Sequence, residues 1–394
     1  MQNLKHELLK IKSDDLIFYF IVLTFFLLPT GTAPPLISIG FAAIFWIVSK
    51  KFFTIKSMIR KSWFFPVIPF LVLPWIGLLY SQNTDLGMDY AMKTKYWLVL
   101  FITAGIALDG KRVHLILKWF WAGLFMGAVL ALFQLVGLAP TIREQFLGFG
   151  IVYTLISIYL VIGILTASFY FKTAKNRKEK IILLILIISF LFHLIVLKGR
   201  SGYLIFGIMS PFVANNLMHS FSLKFKIALC LLLVFSLAAS PVVRTLFKTN
   251  LVKLSDQREK IQQGVYSEHF PRFFIIPIAI ETIMAHPFIG IGTGSFTEPT
   301  RAKGQAVSHP HNNFLHMGTS YGIIGIAACC WLFWEMFKRS WQSRNTALGF
   351  FIFSSCSVLF LSGMFDTQIL NTGTLLFLSL TYGLLNHLPP LQPQ

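Results

Sequence analysis

A chain of 394 residues that is 55% hydrophobic and 12% charged, with a mean hydropathy of +0.70, carries about half the charged fraction of an ordinary water-soluble domain. That balance excludes a soluble catalytic domain and makes a bilayer the expected solvent. The formal charge of +19 does not point to nucleic acid, because the cations sit in short clusters beside apolar runs and form no continuous basic face; topology and anionic headgroups account for them.

In chain order, a basic stretch (residues 1–15) leads into the apolar run LIFYFIVLTFFLLP. Asp14 and Asp15 against that run, and a second span almost at once, favour an uncleaved first helix over a cleaved signal peptide. Hydropathy and breakers then place spans near 16–30, 34–49, 63–80, 95–108, 115–138, 149–171, 181–197, 203–218, 227–243, 321–337, 346–363 and 372–387. The expected fold class is all-α: a polytopic integral membrane protein of about twelve transmembrane helices. Residues 1–243 carry the first nine, residues 244–320 form one long loop, and residues 321–394 carry the last three. Cys230, Cys329, Cys330 and Cys356 all fall inside these spans without any CxxC, and read as small core residues with no disulfide and no metal.

Most Lys and Arg residues fall on one side of this scheme: Lys5, Lys10, Lys12, the KKFFTIKSMIRK loop, Lys111, Arg112, the KTAKNRKEK loop, Lys224, Lys226, Lys338, Arg339 and Arg344. The positive-inside rule makes that side cytoplasmic and puts both termini there. The 244–320 segment is then external, and it is the one part of the chain large enough to fold over the membrane. Within it, RFFIIPIAIETIM reads as an apolar helix suited to the interface, followed by a Gly- and His-rich loop.

Four histidines collect there: His286, His309, His311 and His316. A zinc site is one reading of His309 and His311, but no Cys or Asp stands near them in the sequence and such a site needs three or four ligands, so no metal is assigned. A neutral imidazole at a membrane surface is, by contrast, a suitable general base for a hydroxyl. The glycines of GIGTGSF lack dinucleotide-loop spacing and read as a sharp turn re-entering the membrane surface. Lys198 and Arg200 in KGRSGYL, and Arg272 in EHFPRFF, lie on the same external face. Singly each can be a headgroup anchor, yet two guanidinium forks beside a histidine cluster suit a diphosphate. No D-x-D motif occurs, so a carboxylate pair for Mg²⁺ or Mn²⁺ is missing and anionic charge falls to Arg and Lys.

His311-Asn312, nine residues, then Gly322-Ile-Ile-Gly325 resembles the signature of the O-antigen ligase family, H-[NSQ]-x9-G-x-x-G. The Arg of KGRSGYL, the Arg of FPRFF and HPFIGIGTGSF precede it in the family's order, so the resemblance covers most of the chain. It implies a GT-C-like glycosyltransferase with its loop in the bacterial periplasm, working without cofactor, metal or nucleotide. The implied reaction transfers an undecaprenyl-diphosphate-linked glycan to a sugar hydroxyl of lipid A-core with inversion. By the same resemblance His311 is the base and Arg200 and Arg272 hold the diphosphate, with His309, Asn312, Lys198, Gly322 and Gly325 supporting. Expected partners are the lipid-linked glycan, lipid A-core and membrane lipids. O-antigen or exopolysaccharide polymerases share the donor and much of the pattern and are the nearest alternative. A glycan transporter or flippase is the alternative of another class, disfavoured because charges sit at span ends and no repeated halves are evident.

Overall fold

The computed structural model describes residues 13–142, 147–197, 199–218, 272–304 and 307–390. Among these residues every regular element is helical, as the sequence leads one to expect. The main helices are α1 (Ser13–Leu27), α2 (Ala33–Val48), α3 (Ile68–Leu78), α4 (Thr84–Ala91), α5 (Val99–Ala104), α6 (Gly110–Leu135) and α7 (Tyr153–Thr173). They are followed by α8 (Arg177–Val196), α9 (Arg200–Leu217), α10 (Arg272–Ala285), α11 (Thr297–Ala302), α12 (Asn313–Gln342), α13 (Ala347–Gly363) and α14 (Thr372–Gly383).

Helix α7 is apolar around its whole circumference and is buried from Thr154 to Ser168. A helix with no polar face belongs in the middle of a bundle, and α6, α8, α9 and α13 pack around it. Beside it Phe25, Phe120, Tyr159, Phe351 and Phe377 form an aromatic cluster with centroids 5.2–6.4 Å apart. Pairs in this range are stabilised beyond the area they bury. Outward faces are apolar too: Ile181, Ile182, Leu184, Ile185 and Ile188 on α8, and Ile323, Ile324, Trp331 and Trp334 on α12, are exposed.

Crossing about 30 Å of hydrocarbon takes about 20 helical residues. Four described helices, α6, α7, α8 and α12, are long and apolar enough, and a fifth is obtained by joining α2 to Lys51–Met58 across an 85° bend. The expected twelve full crossings are therefore not what the described residues contain. Helices α1, α2 and α13 have 15, 16 and 17 residues. The run at 63–80 opens as a 3-10 turn and carries Pro66 and Pro74 inside its helices, and that at 95–108 is a 3-10 stretch followed by the six residues of α5. Hydropathy counts apolar residues but is blind to the bends that shorten their reach. The expected span at 227–243 lies outside the described residues. Cys329 and Cys356 are buried as expected, whereas Cys330 is exposed on the outer face of α12.

The two ends of the bundle differ. Gly202 of α9 abuts Ser157 of α7, and Asn216 donates to Ser168 at 3.2 Å, so α7 and α9 run in parallel. The Tyr159 hydroxyl donates to the Gly373 carbonyl at 3.0 Å, which brings the start of α14 to the same end. Lys61, Lys172, Lys178, Arg177, Arg339 and Arg344 lie at the opposite end, where Arg339 binds Glu335 (2.5 Å) and Ser62 (2.8 Å). Arg112 also belongs there, paired with Asp15 at 2.5 Å at the start of α1. The clusters of the charge count that fall among the described residues are thus grouped in space, while Lys5, Lys10, Lys12, Lys224 and Lys226 lie outside them.

Candidate functional site

Asn312 caps α12. Its extended backbone ends the loop, and its side-chain oxygen accepts from Phe314 N (2.8 Å) and Leu315 N (3.0 Å), two of the donors a helix start leaves unpaired. Its amide donates to the Met364 carbonyl at 2.9 Å. The next residue, Asn313, is buried and accepts from Ile369 N at 3.1 Å. Two adjacent asparagines thereby tie the start of α12 to the connector between α13 and α14.

That connector carries Asp366, which the sequence reading overlooked. Its Oδ1 accepts from Thr367 N at 2.9 Å and lies 3.1 Å from His311 Nδ1. An ionised carboxylate only accepts, so the Nδ1 of an imidazole bonded to it donates, and in the tautomer this favours Nε2 carries the free lone pair. His311 itself has φ +53, a left-handed backbone unusual for a residue with a side chain. Strain of this sort, of order 1–3 kcal/mol, persists where surrounding contacts over-determine it, and such positions cluster at functional sites. The His309 ring is 4.5 Å from that of His311, and its Nδ1 is 2.9 Å from Ser308 Oγ. The statement that no acid accompanies the histidine pair is thus corrected: donor atoms of His309, His311 and Asp366 lie within 4.8 Å of one another.

Beneath this group is a cavity of about 40 Å³ lined by Tyr90, Lys93, His316 and Tyr321 among others. His316 is buried with Nδ1 unpartnered, and Tyr90 packs edge-on to its ring at 5.8 Å. Burial pushes the Lys93 ammonium below its usual range, with Asp89 acting against it, and its Nζ donates to the Leu370 carbonyl at 2.5 Å. Burial likewise raises the Tyr90 phenol, opposed by a hydrogen bond with Ser308. Of these groups, Tyr90, Lys93 and Tyr321 were not singled out from the sequence.

GIGTGSF forms the expected turn, whereas Gly322 does not stand at a helix start. Helix α12 starts at Asn313, not near Gly322, and is broken at Gly322, whose φ of +62 and ψ of −150 are not helical. A Cβ there would sit 2.4 Å from the Phe288 carbonyl carbon, while Ile323 N donates to Pro287 O at 2.7 Å across the break. On the other side Gly290 (φ +66) approaches the Ser320 backbone, and Ile291 and Gly292 donate to Thr319 and Ser320 carbonyls at 2.8 and 3.1 Å. GIGTGSF is a turn docked onto a broken helix, and Thr293 extends the contact to α3 through Pro74 O at 2.8 Å. A Cβ at Gly325 would meet the Met317 carbonyl at 2.2 Å, so this glycine serves close packing.

Arg200 is exposed at the first position of α9. By the parallel run of α7 and α9 it lies at the end of the bundle that holds His311. Arg272 opens α10, the helix expected from RFFIIPIAIETIM. Ile275, Ile278 and Ala279 cluster with Leu315, and Ile283 meets Gly318, so α10 runs parallel to the first half of α12 and begins at the His311 end. Its side chain, Lys198 and residues 244–271 lie outside the described part. Comparison with family models and with curated proteins gives no match for this chain.

Proposed function

We propose that the chain is a membrane glycosyltransferase of the O-antigen ligase type, acting on the outer face of a bacterial inner membrane. The single observation that carries the reading is the His311–Asp366 pair at 3.1 Å, placed at the end of the bundle where α9 and α10 begin with Arg200 and Arg272. Apolar outer faces and the gathering of Lys and Arg at the opposite end support a multi-pass protein oriented with that basic end in the cytoplasm and its long loop in the periplasm.

In this reaction an acceptor sugar hydroxyl of lipid A-core gives its proton to His311 Nε2 while its oxygen attacks the anomeric carbon of the donor glycan. The bond from that carbon to the phosphate oxygen breaks, and undecaprenyl diphosphate leaves with the electron pair. Attack from the face opposite the leaving group inverts the anomeric centre. Asp366 holds the His311 ring and stabilises the imidazolium that forms, an orienting role general to histidine bases. A positioned base contributes typically about 10²–10⁴-fold. Guanidinium forks at Arg200 and Arg272 stabilise the developing diphosphate charge, which fixed donors in a partly dry site do well. No carboxylate pair for a divalent cation is part of this scheme.

The deciding experiment is deletion of the gene. A ligase defect leaves polymerised glycan on the lipid carrier, whereas accumulation of single repeat units would assign the chain to polymerisation instead. Purified protein that moves no glycan from carrier to either acceptor, yet exchanges lipid-linked glycan between leaflets, would overturn the transferase reading in favour of a flippase.

A further inference from the structure

From the cluster around His311 we infer a binding site for a transition-metal cation, Zn²⁺ being the best match, whose occupancy switches off the base. The inference rests on the proposed reaction only for its effect on activity; the site itself stands on geometry.

Three side chains of the types zinc prefers, two imidazoles and one carboxylate, present donor atoms that lie within 4.8 Å of one another. A tetrahedral zinc with bonds of about 2.0–2.1 Å needs donors about 3.4 Å apart. His311 Nδ1 and Asp366 Oδ1 are already at 3.1 Å. The His309 ring lies 4.5 Å from that of His311, with a donor nitrogen inside the same 4.8 Å group. All three are half-buried, so a cation can enter from solvent while water fills the fourth position, the open arrangement of three-ligand zinc sites. The ligands come from two segments that Asn312 and Asn313 already fasten together, so little ordering accompanies binding. The Ser308 hydroxyl at 2.9 Å from His309 Nδ1 is an outer-shell partner of the kind that orients ligating histidines.

The donor set discriminates between cations. Two imidazoles and one carboxylate favour Zn²⁺, Ni²⁺ or Cu²⁺ over Mg²⁺ and Ca²⁺, which prefer six or more oxygens. A metal bound here withdraws the Asp366 carboxylate from its hydrogen bond and takes the His311 Nδ1 lone pair, which moves the ring proton to Nε2, so that Nε2 has no lone pair left to receive a proton from an acceptor hydroxyl. The site is inhibitory, and compatible with a reaction that uses no metal.

Zinc chloride titrated by calorimetry into detergent-purified, chelator-stripped full-length protein tests this. One Zn²⁺ per chain is expected, with binding weakened at least tenfold in His309→Ala and in Asp366→Asn, and with no heat from MgCl₂. Gel filtration and thermal unfolding confirm that each variant is folded. Glycan transfer by the wild type should fall with the same midpoint as binding and return on adding EDTA. Absence of saturable binding, or binding unchanged in both folded variants, would overturn the site. Site-specific binding without any transferase activity would leave the site standing and defeat the proposed reaction instead, and full activity at saturating Zn²⁺ would overturn the inhibitory role.

Discussion

His311 Nδ1 and Asp366 Oδ1 stand 3.1 Å apart although 55 positions separate them in the chain. The hydrogen bond they share sets the first prediction. His311→Ala should lower glycan transfer by about a hundredfold or more, the typical contribution of a positioned base. Asp366→Asn leaves the base in place but removes its orienting charge, so it should cost about tenfold or more in kcat and less than His311→Ala. Donor binding should be unchanged in both. A loss of donor affinity equal to the loss of rate would show instead that the pair shapes the binding site.

A second prediction concerns the arginines. Arg200→Ala and Arg272→Ala should each weaken binding of undecaprenyl-diphosphate glycan by about 1.5–3 kcal/mol for every charged hydrogen bond lost. Lys substitutions keep the charge and lose the fork, so they should fall between wild type and Ala. If both arginines only anchor helices to headgroups, the Ala variants will express poorly and bind donor normally per folded molecule.

Removal of divalent cations supplies a third. The proposed chemistry places the leaving-group charge on arginines, so transfer in EDTA should run at the untreated rate or above it. A large loss restored by Mg²⁺ would contradict that assignment of the diphosphate charge.

Glycine-to-alanine exchanges at the helix break are the fourth. Gly322→Ala places a Cβ 2.4 Å from the Phe288 carbonyl carbon at a φ of +62, and the cost should exceed ~2 kcal/mol, read as a lower melting temperature in detergent. Gly290→Ala, opposed by the Ser320 backbone at the same 2.4 Å, should behave alike. Unchanged melting of both would mean that the turn and the break are not in contact.

Orientation is testable directly. On a cysteine-free background, Lys303→Cys should react with an impermeant maleimide in intact spheroplasts and Lys178→Cys only after lysis, both side chains being exposed at opposite ends of the bundle. The reverse pattern would invert the whole scheme.

What could be read in one dimension was largely local. The helix in RFFIIPIAIETIM and the grouping of cations follow from short-range pattern. Asp366 could not be found that way, because its partnership is made by folding the α13–α14 connector onto the start of α12. The first two turns of α12 were missed as helix because they carry Asn313, His316, Thr319 and Ser320, polar residues that a hydropathy window rejects although all are buried. Hydropathy therefore starts that helix near Gly322, two turns after its true beginning at Asn313. The number of crossings was overread where prolines and 3-10 turns divide apolar runs that hydropathy treats as continuous.

The two asparagines that follow His311 have one more implication. Because Asn312 grips Met364 and Asn313 grips Ile369, His311 and Asp366 are clamped together from both sides of Asp366. Preorganised dipoles need no rearrangement at the moment of reaction. In the proposed reaction the imidazole is thus held in place before the acceptor arrives, and only the substrates have to be brought to it.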